Sequence, residues 1–420
     1  MGLSLRGSAR WAVAAVAATL LTAVATVPAA AATTSAQPSS PTSSVVLPDD
    51  DPFYAVPPHL EGKRDGTVLR SRQLPASALA TPAPAQVWQV LYKTRDNAGR
   101  ATATAGTLLV PTARWQGPGP RPLVSYQVPE DALTTACAPS YLLRAGSTAA
   151  ASTIAQANFD RGQVAAAVQR GWTVMVPDWE GPRSEFFGAD AAAHGVLDGV
   201  RAARSFGPAH VDRKAPVGLW GYSGGGFATA SAAQEQSAYA PELKISGIAE
   251  GGVPADINAA LQSISGQPFS GWIPFAFATL GNAYPRFDID RYLNASARSY
   301  ADADAHVCAG DAIAAGPFNT KLESFEAWPG SLTSGTFSRF ARQISPLGIG
   351  GTPTAPVYMY HGTADELLPV TAARELKAQY LARGANVVMI EDQGQTHGGE
   401  QAFGVAGAVS FLEKQFSQHH

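Results

Sequence analysis

Between residues 88 and 250 and again beyond 356, short apolar runs alternate with longer segments of helical periodicity. Trp88-Gln-Val-Leu-Tyr-Lys-Thr and the stretch 101–110 flank Asp96-Asn97-Ala98-Gly99, and this order predicts a β-hairpin. Pro122-Leu-Val-Ser-Tyr126 reads as a short buried strand. Strands are then expected over 172–176, 217–221, 245–249, 357–360 and 387–390, with helices over 155–170, 189–205, 225–235, 371–382 and 400–415. The strands are apolar on both sides, so a mostly parallel sheet with helices on both faces is expected, an α/β architecture.

The rhythm fails between about 254 and 346, where Pro, Gly and aromatic residues including Trp272, Phe275, Phe277, Tyr284, Phe325 and Trp328 accumulate. Because this stretch lies between two sheet strands, it reads as an inserted, mainly helical cap. The predicted organisation is therefore an α/β domain in two pieces, 51–253 and 347–420, around a cap at 254–346.

The N-terminus bears on compartment. Arg6 and Arg10 precede an apolar run over 11–27, and Pro28 leads into four alanines at 29–32. That pattern predicts a signal peptide over 1–32, the alternative being a membrane anchor. Residues 33–50 are rich in Ser, Thr and Pro and are expected to form a mobile tether. A secreted, extracellular protein without a transmembrane anchor after cleavage follows. The net charge of -3, with no basic stripe, argues against a nucleic-acid partner. In an exported chain the two cysteines, Cys137 and Cys308, read as a disulfide, with two buried thiols as the alternative. They lie 171 residues apart, so a bond between them could stabilise the fold by ~4–5 kcal/mol on the chain-entropy view. No CxxC or Cys/His zinc spacing occurs, and neither a metal nor a cofactor is expected.

Candidate chemistry centres on Leu219-Trp220-Gly221-Tyr222-Ser223-Gly224-Gly225-Gly226. A G-x-S-x-G motif directly after an apolar strand and directly before a helix is the context of a nucleophile elbow, the strained turn that lifts a serine hydroxyl above an α/β-hydrolase sheet. A serine needs a base, and the base an orienting acid, which in this fold follow in the order Ser, Asp, His. Asp365 stands just past the strand at 357–360, and His397 past the strand at 387–390. The intervals are 142 residues from Ser223 to Asp365, room for a cap, and 32 from Asp365 to His397, room for one crossover helix. Glu366 is expected to point away and His361 to pack at the strand end. The backbone N–H of Gly224 is the first expected oxyanion donor. A second should come from the loop after Tyr126, where an ionised carboxylate could not donate.

The runs SYQVPED and CAPSY (beginning at Ser125 and Cys137), PDWEGP with a helix ending LDGVRAAR, GYSGGG, HGTADELLP and THGG together resemble the secretory lipase family, the lipase A group of yeast and actinomycete triacylglycerol lipases. The likeness extends from Asp51-Pro52-Phe53-Tyr54 nearly to the C-terminus. It implies an α/β-hydrolase with a large cap, a Ser223–Asp365–His397 triad, and triacylglycerol lipase or esterase activity. It further implies that Asp131 joins Gly224 at the oxyanion hole, although the adjacent Glu130 leaves the choice open by one residue. The cap run 271–280 carries no charge, so Trp272, Phe275 and Phe277 are candidates for the wall that binds an ester or lipid substrate, or else for the cap's own core. Other secreted serine esterases of the same fold (polyester or feruloyl esterases), a peptidase and a non-catalytic binding protein are the alternatives.

Overall fold

The computed structural model describes residues 45–418 except Pro82 and Ala305. The expected signal peptide (1–32) and most of the expected tether lie outside the described residues. The end of that tether does not behave as one: Val45 N donates to Gly146 O (3.2 Å), and Thr135 Oγ1 donates to Asp49 Oδ1 (2.6 Å). Among the described residues, no helix is long and apolar enough to cross a membrane.

Among the described residues, nine strands form one sheet in the order β1-β2-β3-β5-β4-β6-β7-β8-β9. β1 (Val68–Leu74), β2 (Ala85–Arg95) and β3 (Ala101–Pro111) pair antiparallel, and β3 pairs antiparallel with β5 (Thr173–Pro177). From β5 onward the sheet is parallel, through β4 (Leu123–Gln127), β6 (Val217–Tyr222), β7 (Ile245–Gly251), β8 (Val357–Gly362) and β9 (Val387–Asp392). The hairpin joining β2 to β3 follows from its sequence: Asp96 Oδ1 accepts from Ala98 N (3.0 Å) and Arg100 N (2.9 Å), and Gly99 takes φ 74°.

Side chains alternate between two layers. Leu123, Leu219, Ile248 and Met359 face one core, closed by the helices Ala189–Ser205, Gly224–Tyr239 and Val370–Ala382. Val124, Trp220, Ala249 and Tyr360 face the other, closed by Ala151–Gln169 and Val405–Ser417. The helix expected over 400–415 is in fact two, His397–Phe403 and Val405–Ser417. Gly404 sits at the break because a Cβ there would come within 2.2 Å of the Tyr360 ring.

Between β7 and β8, among the described residues, the chain builds six α-helices, Ile257–Ser263, Trp272–Ala283, Ala295–Ala303, Ala309–Ala315, Gly335–Gln343 and the single turn Pro346–Ile349. Phe277, Phe287, Tyr292 and Phe337 pack ring on ring among them, with centroids 5.3–6.5 Å apart where they meet. The disulfide joins Cys137 to Cys308, with Cα atoms 5.9 Å apart. A short bridge runs beside it: Leu133 N donates to Val307 O (3.1 Å) and Ala309 N to Asp131 O (2.9 Å).

Candidate active site

Ser223 caps the C-terminal end of β6 and the start of the helix Gly224–Tyr239, with φ 55° and ψ −123°. Such a conformation costs a non-glycine residue ~1–3 kcal/mol and persists because its surroundings enforce it. Ser223 N donates to Gly251 O at 3.0 Å, and no side chain fits at the flanking positions. A Cβ on Gly221 would lie 2.2 Å from Gly225 O, and one on Gly225 would lie 2.0 Å from Gln127 O.

His397 Nε2 is 2.8 Å from Ser223 Oγ, and His397 Nδ1 is 2.8 Å from Asp365 Oδ2. The three predicted residues therefore form one hydrogen-bonded chain. Asp365, whose side chain is fully buried, accepts at Oδ1 from Leu367 N (3.0 Å) and Leu368 N (2.8 Å). Burial alone would raise its pKa, but His397 and His361 hold the carboxylate well below its usual range. His361 does more than pack, since its Nε2 lies 3.3 Å from Asp365 Oδ2 and 3.0 Å from Leu368 O. Glu366 does not point away either. Its Oε2 accepts from His397 N (3.0 Å), at the N-terminus of the helix that carries the imidazole. Tyr222 Oη donates to His397 O at 2.7 Å, pinning the same residue from below.

Between Glu130 and Asp131, the structure brings the second to the nucleophile. A Cβ on Gly224 would fall 1.7 Å from Asp131 Oδ1, so the carboxyl lies against the first residue of the helix. Asp131 has φ 43°, and its Oδ1 is buried without a hydrogen-bond partner. Burial, with the negative charge of Asp160 added, pushes its pKa up to about 7. Glu130 turns instead toward Glu180, whose N–H reaches Glu130 Oε2 at 3.5 Å.

Two cavities meet at Ser223 and His397. The smaller, about 60 Å³, runs between Phe186, Phe187, Ile257, Leu261, Ile264 and Ala276, and its lining is almost wholly apolar. The larger, about 220 Å³, is bounded by Leu142, Thr153, Gln156, Phe269, Ile313 and Gln401. Trp272 belongs to both. Phe275 and Phe277, expected to line the substrate wall, reach neither cavity and are fully buried. On the helix Trp272–Ala283, the residues four apart, Trp272 and Ala276, share the cavity face. Phe275 instead packs on Phe186 and Trp272 (6.3 and 5.4 Å), and Phe277 on Phe325 and Phe337 (6.2 Å each). The lining residues Phe186-Phe187 and Leu261 went unread. The aromatic pair follows β5 at the carboxyl edge of the sheet, a position that could have pointed to the site.

The family model described as secretory lipase matches residues 145–420. The chain belongs to the secretory lipase family. It is 33% identical over 385 residues to Lipase 10 of Candida albicans, covering 88% of this chain and 81% of that protein. It is 31% identical over 359 residues to a secreted triacylglycerol lipase of Malassezia globosa, covering 81% and 75%. The closed-state crystal structure of Candida antarctica lipase A superposes with a TM-score of 0.79 at 25% identity, covering 90% of this chain and 88% of the other. The α/β-hydrolase expectation thus holds, and this secretory lipase is an ester hydrolase by family and by its relatives.

Proposed function

We propose that this secretory lipase is an exported triacylglycerol lipase that works through an acyl-enzyme on Ser223. The carrying observation is the hydrogen-bonded chain Ser223–His397–Asp365 standing where a narrow apolar cavity opens. Ser223 Oγ attacks the ester carbonyl as its proton passes to His397 Nε2, and Asp365 stabilises the resulting imidazolium. The oxyanion of the tetrahedral intermediate meets the Gly224 N–H and the protonated carboxyl of Asp131. His397 then protonates the departing alcohol, and a water activated by the same imidazole releases the acid. The fatty chain occupies the cavity of Phe187, Leu261 and Ala276, gaining ~0.8 kcal/mol per buried CH₂. Export is supported by Arg6 and Arg10 ahead of the apolar run at 11–27, by the small residues at 29–32, and by the disulfide. Ser223→Ala should abolish hydrolysis of emulsified triglyceride and of p-nitrophenyl butyrate while leaving the thermal midpoint near that of the parent. Residual hydrolysis above a trace, or failure of a serine-directed phosphonate to label the parent protein, would overturn the assignment.

A further inference from the structure

The larger cavity differs from the smaller in one respect that the hydrolysis mechanism does not use. Glu130 Oε1, Thr153 Oγ1 and Gln401 Nε2 are buried and have no hydrogen-bond partner, and all three residues line this chamber. Their residual exposures are 5, 7 and 5%, so bulk water does not satisfy them. They come from separate elements: the loop after β4, the helix Ala151–Gln169 and the helix His397–Phe403. An orphaned buried polar group is destabilising, and three contributed to the lining of one chamber give it a hydrogen-bonding demand that an apolar occupant would not meet.

Position says which part of an ester enters. Gln401 stands four residues beyond His397 on one helix, hence one turn from the imidazole that protonates the departing oxygen. With the acyl chain in the small apolar cavity, the alcohol portion must extend to the other side of Ser223, into this chamber. A hydrocarbon alcohol would leave the three groups unanswered. A cation would meet the Gln401 amide hydrogens, which repel it. Hydroxyl groups, each donor and acceptor, suit an amide N–H, a threonine hydroxyl and a carboxyl together. Burial also pushes the Glu130 carboxyl well above its usual range, so it can donate as well as accept.

We propose that the chamber of Glu130, Thr153 and Gln401 is an alcohol subsite that recognises free hydroxyls. The enzyme would then prefer esters of polyols, partial glycerides among them, over esters of simple alcohols. This rests on the hydrolase reading above. The test compares kcat/KM for glyceryl 1-monobutyrate and propyl butyrate, which share the acyl group and the carbon skeleton and differ by two hydroxyls. After correction for their rates of alkaline hydrolysis, the glyceryl ester should be favoured at least about tenfold, as in sites built to hydrogen-bond a substrate hydroxyl. Gln401→Leu and Thr153→Val should each cut that ratio several-fold, and Thr153→Ser should keep it. A parent ratio near one, a ratio untouched in folded variants, or a preference for butyrylcholine over the glyceryl ester would overturn the proposal. The parent ratio needs no variant to fold. If the subsite alone is wrong, p-nitrophenyl butyrate is still hydrolysed. If the hydrolase reading is wrong, no ester is hydrolysed and the phosphonate fails to label.

Discussion

Asp131 offers the sharpest quantitative test of the proposed oxyanion site. Its carboxyl lies against Gly224, buried, with Oδ1 unpartnered and a pKa pushed up to about 7. Only the protonated acid can donate to an oxyanion, so the donor is lost as pH rises. Above pH 7 the protonated fraction falls about tenfold per pH unit, and kcat/KM of the parent should fall with it. Glu130 and Glu180, also raised by burial, face the same loop, and their ionisation adds negative charge beside the site and deepens the decline. In Asp131→Asn the carboxamide donates at every pH, so the alkaline limb should shrink to the part that Glu130 and Glu180 contribute. In Asp131→Ala the donor is gone, and kcat should drop roughly 10²–10³-fold at pH 6, equivalent to about 2.7–4 kcal/mol of transition-state stabilisation. The assay is initial-rate hydrolysis of p-nitrophenyl butyrate between pH 5 and 9.5, with circular dichroism at each pH to exclude unfolding. An asparagine variant that keeps the parent's alkaline limb, or an alanine variant with near-parental kcat at acidic pH, would refute the reasoning.

Replacing Cys137 and Cys308 by serine should lower unfolding stability by up to ~5 kcal/mol, the chain-entropy value for a 171-residue loop, read as a shift of the urea midpoint. An unshifted midpoint would contradict it. Ala276→Phe should fill the small cavity and reduce kcat/KM for palmitate esters far more than for butyrate esters, whereas equal losses would remove that cavity from the acyl site. Burial holds Asp160 and Asp178 at about 7 and Glu250 at about 8, above their unfolded values. The native state therefore binds more protons in this window, and the thermal midpoint should fall as pH rises from about 5 to about 8. A midpoint that rises across that range would show the carboxyls to be better paired than their surroundings imply.

Much of this was legible because the decisive elements obey local rules. The strands β4 to β8 read as apolar runs since each is covered on both faces, and G-x-S-x-G announced the turn at Ser223 because sterics leave glycine little alternative there. β1 escaped notice: Val68–Leu74 carries two arginines and runs along the sheet edge, half exposed, so no apolar pattern marks it. The uncharged run at 271–280 showed that the helix is buried, but composition does not say which face meets a cavity. Trp272 faces the cavities and Phe275 and Phe277 do not. Glu366 also lay beyond local reading, because its role depends on His397 arriving from beyond β9, whereas His361 meets Asp365 four residues on in the same segment, a spacing the sequence did hold. Thr153 and Gln401 are ordinary helix residues until two distant helices converge on one chamber.

The insertion of the cap between β7 and β8 bears on the order in which the molecule is assembled. These strands are neighbours in the sheet, with Ile248 paired to Val357, yet a chain made from its N-terminus completes β7 roughly a hundred residues before β8 exists. Until then Ile245–Gly251 is an open sheet edge, of the kind that recruits other chains. The cap helices are synthesised during that interval, directly after β7, so they are the first new elements available to cover that edge before its partner arrives. A segment whose Trp272 and Leu261 line the candidate site in the finished fold would thus guard the half-built sheet against aggregation.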